Sequence, residues 1–223
     1  MPLIVITLVF VVLGMIAQGK VKSTFEKYDK HSLSHGLTGE QVARQILDAH
    51  GLQSVEIEEA KLGQLSDHYD PEKRVLRLSA AVGSTSSIAA VGVAAHEAGH
   101  ALQHAEGYGP LMMRTTMATR IALITQIMPF LFYGSLLGLF SWRPLAIPLG
   151  LLTGTVYLVT TAMAIVTLPV EFDASARAKK LLAQQNIVNR KEMEGVSAVL
   201  KVAAWTYVLG ALRALFSRGI RTR

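Results

Sequence analysis

The chain has 223 residues, 22 Lys and Arg against 16 Asp and Glu, and no cysteine. At 51% apolar and only 17% charged, it is not a disordered chain. Without cysteine it is neither a disulfide scaffold, a Cys-ligated zinc finger nor an iron–sulfur protein, so a metal would have to be held by His and carboxylate.

The net charge of +6 is unevenly placed. Residues 20–87 hold nine Lys/Arg and ten Asp/Glu, whereas residues 88–223 hold thirteen and six. The excess flanks apolar runs, at Arg114, Arg120, Arg143, Arg177, Lys179 and Lys180. That is the pattern of a membrane protein. No arginine-rich arm interleaved with aromatics is present, so nucleic acid is not an expected partner.

The first run, residues 1–19, carries no charge and is followed by Lys20 and Lys22. It lacks the basic start of a cleaved signal, so it reads as an uncleaved span with Lys20 inside. Residues 20–87 read as a soluble segment. Thr38-Gly39-Glu40-Gln41 is a capping-box pattern. Val42, Ile46 and Leu47 give the apolar stripe of a short helix closed by Gly51. Val55 and Ile57 suggest a strand. Leu65–Tyr69 and Arg74–Leu78 flank the turn signal Asp70-Pro71-Glu72-Lys73 and predict a β-hairpin. The polar loop 83–87, GSTSS, suits the start of the next helix.

That helix, about 87–106, carries His96-Glu97-Ala98-Gly99-His100. Positions i and i+4 share a helix face, so both imidazoles can reach one cation. Chance places such a pattern in about one in a hundred chains of this composition. The flanking SIAAVGVAA is apolar and predicts burial, where His, Glu and His without a partner would be costly. The expected ion is zinc, one per chain, with Glu97 beside it to accept a proton from the attacking water. His104 also continues the spacing, but eight residues of helix is about 12 Å, too far to share an ion with His96.

Two more charge-free runs follow, residues 121–142 and 144–170. Each is long enough to cross a bilayer. Arg143 separates them, which predicts a two-span hairpin. Gly134, Gly138, Gly150 and Gly154 offer small-xxx-small packing positions. A hairpin leaves and re-enters on one face. It therefore returns Glu171, the first charge after the second run, to the side of the His96–His100 helix. Glu171 is the expected third ligand, and Asp173 is its rival. The stretch Gly195–Leu212 is apolar but contains Lys201 and precedes Arg213, Arg218, Arg221 and Arg223. Crossing would put those arginines outside, so the reading stays between three and four spans.

HEAGHALQHAEGYGP, LSDHYDP upstream and LPVEFDASARA downstream resemble the membrane neutral zinc metallopeptidases of the bacterial YugP type. The resemblance covers nearly the whole chain. More distantly, the plan is similar to HtpX and the CAAX-prenyl endopeptidases, in which HExxH and a glutamate of an E-F-x-A-D pattern flank two spans. The resemblance implies His96, His100 and Glu171 as zinc ligands and Glu97 as general base. The sequence departs from that pattern in having Ser175 where the aspartate would stand. Ser175 or Asp173 is then the candidate to support the ligands. His68 and Tyr69, on the strand before the metal helix, are candidate oxyanion donors.

The expected fold is a mainly α membrane protein. It is a helical bundle of three to four membrane segments with a small α+β zincin-like element, a short helix plus β-hairpin, before the HExxH helix. Its expected parts are an N-terminal span (1–19), a cytoplasmic-facing α+β segment (20–110), a two-span hairpin (111–170), and a ligand-bearing helix with a C-terminal apolar helix and basic tail (171–223). The expected function is a zinc endopeptidase of the cell membrane acting on membrane or misfolded polypeptides. Two alternatives stand beside it. A site-2-type intramembrane protease should supply an intramembrane aspartate, and the chain has no Asp-Gly dipeptide. A non-catalytic scaffold with a vestigial metal site would not depend on Glu97.

Overall fold

The computed structural model describes residues 2–61, 66–141 and 143–216. Among the described residues, seven helices and three strands follow in chain order. They are α1 (Pro2–Asp29), α2 (Gly39–Ala49), β1 (Glu56–Glu59), β2 (His68–Asp70), β3 (Val75–Leu78), α3 (Ala80–Gly83), α4 (Ile88–Ala105), α5 (Gly109–Ser141), α6 (Arg143–Gln184) and α7 (Arg190–Phe216).

Local chemistry sets the soluble part. Thr38 caps α2 with a full capping box: its hydroxyl accepts from the Gln41 amide, and the Gln41 side chain accepts from the Thr38 amide. Val42, Ala43, Ile46 and Leu47 are buried along one face. The sheet is larger than the expected hairpin. Its order is β1-β3-β2, with β2 antiparallel to β3 and β1 parallel to it. Leu65, where the second strand was expected to begin, lies outside the described residues. Arg77 of β3 binds Glu58 of β1 and Asp70 of β2, so one guanidinium spans all three strands. That cross-link is set by tertiary pairing and left no periodic signal.

The core gathers around α4, which packs on α2, α6 and α7. Ser87 caps α4 through the Ala90 amide and donates its hydroxyl to Asp29 at 2.7 Å, pinning the end of α1. Glu192 near the start of α7 accepts from the Ser34 amide and hydroxyl and from the Asn189 amide. The loop after α1 is thereby tied to α7. At Gly195 a Cβ would stand 2.8 Å from both Tyr28 and Ile88, so glycine permits α7 to lie against α1 and α4.

Helix α6 has 42 residues, about 63 Å at 1.5 Å per residue. Its first part is the apolar run. Its second part buries Val170, Ala174, Ala178, Leu181 and Leu182, an i, i+4, i+8 stripe facing the core. The crossing with α4 is close. A Cβ on Gly99 would meet the Ala174 carbonyl oxygen at 2.9 Å. Glu171 lies one turn before Ala174, so this crossing sets its approach to the α4 histidines.

The expectation of three to four spans is corrected. Among the described residues, two helices are long and apolar enough to cross a membrane, Ile147–Gln184 and Arg190–Leu212. The C-terminal stretch left undecided on charge grounds is therefore one of the two. Residues 2–19 and 121–141 of the other two runs are helical within α1 and α5, but many of their side chains lie outside the description. Exposed apolar side chains nevertheless cover α5 and α6, with Phe130 77%, Leu137 66% and Leu151 69% exposed. Of the four spaced glycines, Gly134 faces Leu149 at 3.4 Å. Gly150 and Gly154 meet nothing among the described residues.

Gly99→Ala should destabilise the protein by about 1–3 kcal/mol, because a methyl would be forced against backbone. It should also weaken zinc binding by displacing Glu171. Gly150→Ala should do neither. Thermal unfolding and zinc titration of both variants check this, and equal behaviour of the two would contradict it.

Candidate metal centre

His96 and His100 stand one turn apart on α4 and Glu171 comes from α6. One ligand atom from each lies within 4.8 Å of the others. Glu171 Oε2 is 3.2 Å from His96 Nε2 and 3.6 Å from His100 Nε2. The rings meet edge to face, with centroids 4.8 Å apart. Two imidazole nitrogens and one carboxylate oxygen converging this closely suit zinc, whose catalytic sites take three such ligands and keep a position open. Asp173, the rival, is not in the cluster.

The groups behind the triad fix its orientation. Gln103 is fully buried. Its amide nitrogen donates to the Val170 carbonyl at 2.9 Å and to Asp173 at 2.7 Å. With both nitrogen partners acceptors, its oxygen must face His100 Nδ1, 2.9 Å away. His100 therefore carries its proton on Nδ1 and turns the Nε2 lone pair to the site. Asp173 is in turn held by Arg177 at 2.6 Å, and Arg177 also binds Glu106. Ser175 Oγ lies 3.2 Å from His96 Nδ1. Asp173 and Ser175 thus back the two histidines, one through Gln103 and one directly.

Glu97 is buried beside the triad, and the Tyr69 amide donates to its Oε2 at 3.1 Å. Burial pushes the Tyr69 phenol up and the His104 imidazole down. The phenol stays protonated, and it hydrogen-bonds with His104 Nδ1, 2.9 Å away. Burial also raises Asp67, which accepts from the Ser79 amide and hydroxyl, and the charge of Glu97 adds to the effect. For His100, burial opposes the charged form. The carboxylates of Glu171 and Glu97, with the Gln103 side chain, outweigh it and raise the imidazole.

His68 lines a cavity that Glu97, His100 and Glu171 also border, but its ring nitrogens face the Ser66 carbonyl and Arg77. Of the two oxyanion candidates, the structure brings the Tyr69 backbone to Glu97 and leaves the His68 ring engaged elsewhere.

Residues 3–218 match the family described as "Putative neutral zinc metallopeptidase". The chain belongs to that family. It is 43% identical, over 97% of its own length and 93% of the relative's, to the "Putative membrane protease YugP" of Bacillus subtilis (strain 168). No solved structure matches the chain.

Three residues of this zinc-peptidase-family site escaped the sequence reading. Arg114 donates to Glu171 Oε1 at 2.8 Å, holding the carboxylate oxygen turned away from the histidines. In the sequence it reads only as a cation before an apolar run. Tyr207 interacts with Glu171 from α7 and borders the cavities on both sides of the triad. Nothing in its apolar surroundings distinguished it. Gln103 did leave a signal, a polar residue three positions after His100 on an otherwise small and apolar helix.

Gln103→Leu should lower zinc affinity about 10- to 100-fold, because it frees the His100 ring and leaves Asp173 without its amide partner. Competition with a metal-binding dye measures this. Unchanged affinity would remove Gln103 from the account.

Proposed function

We propose that the protein is a membrane-embedded zinc endopeptidase. It uses His96, His100 and Glu171 as metal ligands and Glu97 as general base, and it acts on membrane or misfolded polypeptides. The observation that carries this reading is the convergence of the three ligand atoms within 4.8 Å, with the Glu97 carboxylate held beside them. Family membership and the relative's printed description as a membrane protease support it. Bound between these ligands, zinc would supply Lewis acidity, lowering the pKa of a water and polarising the scissile carbonyl.

The chain's own residues do the rest. Glu97 accepts the proton of the attacking water and returns it to the leaving amine. The Tyr69 amide keeps the Glu97 side chain in place for both transfers. Arg114 holds one Glu171 oxygen, so the other faces the histidine nitrogens with which it would hold the ion. Gln103 and Ser175 keep the imidazoles turned inward.

The exposed apolar flanks of α5 and α6 fit a lipid environment, since so much apolar surface is costly in water. The positive-inside bias of Lys20, Lys22, Arg114, Arg120, Arg177, Lys179 and Lys180 supports our reading of a multi-pass chain of the cell membrane with its metal side toward the cytoplasm. The partners are then the lipid bilayer and a polypeptide substrate.

Glu97→Gln should bind zinc as the wild type does and lose about 10²- to 10⁴-fold in peptide cleavage. Glu171→Ala should lose zinc itself. Cleavage of a quenched fluorescent peptide alongside metal analysis checks both. Wild-type cleavage by the Glu97 variant would contradict the reading, as would full zinc content in the Glu171 variant.

A further inference from the structure

Two cavities meet at the metal centre, and Glu97, Glu171, Tyr207 and Asp67 border both. They are chemically unlike. The cavity on the His100 side, about 380 Å³, presents His68, Asp70, Glu72, Arg114 and Thr115. The cavity on the His96 side, about 570 Å³, is walled by Val21 and Phe25 of α1, Val93 of α4, and Val199, Leu200 and Ala203 of α7.

The charges bordering the His96-side cavity, apart from His96, Glu97 and Glu171, are directed elsewhere. Lys22 is 68% exposed and pairs outward with Glu26. Asp67 is occupied by the Ser79 amide and hydroxyl. Gln18, Ser175, Thr206 and Tyr207 also border the space, but most of its lining is apolar, so an apolar group entering it is favoured. Its volume lies within the roughly 300–1,000 Å³ of sites that enclose small ligands. One large side chain with its adjoining backbone therefore fits.

We propose that the α1–α4–α7 cavity is a specificity subsite that takes one large apolar side chain of the polypeptide beside the scissile bond, while the His100-side cavity takes polar residues. This rests on the peptidase reading of the metal centre. It also gives α1 and α7 a role in substrate selection. Ala203 lies on the α7 face shared by Val199 and Leu200, so a bulky residue there fills the space. Val21 lines the space from α1, so an acidic residue there makes that wall polar.

The test uses the zinc-loaded full chain carrying Glu97→Gln, in lipid nanodiscs. Fluorescent peptides carry Phe, Leu, Gly or Asp at each position in turn, and anisotropy gives Kd. At one position Phe and Leu should bind roughly 10- to 100-fold tighter than Gly or Asp. Adding Ala203→Trp should abolish that preference. Val21→Asp should weaken it independently, which covers a failure of the tryptophan variant to fold. Equal binding of all four residues at every position would overturn the subsite. So would a preference that survives in both variants. Cleavage of the same peptides by the wild type separates the two readings. Apolar preference without turnover counts against the peptidase alone, and turnover without apolar preference counts against the subsite alone.

Discussion

A carboxylate that is 2% exposed is untenable without positive charge or hydrogen-bond donors around it. Glu171 is such a group. One of its oxygens faces His96 and His100, and the other takes the Arg114 guanidinium. The three elements that surround it, α4, α5 and α6, are thus held by one charge cluster. Removing any single partner of a buried charge typically costs far more than the cluster contributes net. The arrangement is better understood as a site held ready for a cation than as a source of stability.

The scaffold brings that cluster together by steric permission and by buried polar connections. Gly99 lets the α6 backbone approach α4, and Ala174 occupies the space a side chain would take. From there the chain of contacts His100, Gln103, Asp173, Arg177 and Glu106 links α4 and α6 through groups whose donors and acceptors match in sequence. Farther out, Asp29 on Ser87 holds the end of α1 to α4, and Glu192 on Ser34 ties the loop after α1 to α7. Helices α1 and α7 also wall the larger cavity. The metal centre and the space beside it therefore depend on the same helix packing.

Much of this was legible in the residues, for specific reasons. His96 and His100 announce themselves because helical geometry converts a four-residue spacing into a shared face. Glu171 was reachable because two apolar runs constrain where the chain must return. The Thr38 box and the α2 stripe are local, and the structure contains them as read. The remainder is set by long-range register, which leaves no periodic trace. Arg114 and Tyr207 reach Glu171 from α5 and α7 only once helices of 33 and 27 residues have settled against α6. The parallel partner of β3 arrives from across a loop, so a hairpin signal could not reveal it. The span count was too high because neither the run at 1–19 nor that at 121–142 is among the two helices that qualify within the described residues, whereas the C-terminal stretch, left open because of its charged tail, is one of them.

The central claim is that one zinc ion sits between His96, His100 and Glu171. Anomalous diffraction at the zinc edge from crystals of the metal-loaded protein tests it most directly. The account predicts a single peak about 2.0–2.2 Å from His96 Nε2, His100 Nε2 and Glu171 Oε2, with Arg114 still on Glu171 Oε1. A peak bound by Asp173 in place of Glu171, or one lying away from the α4 histidines, would contradict it.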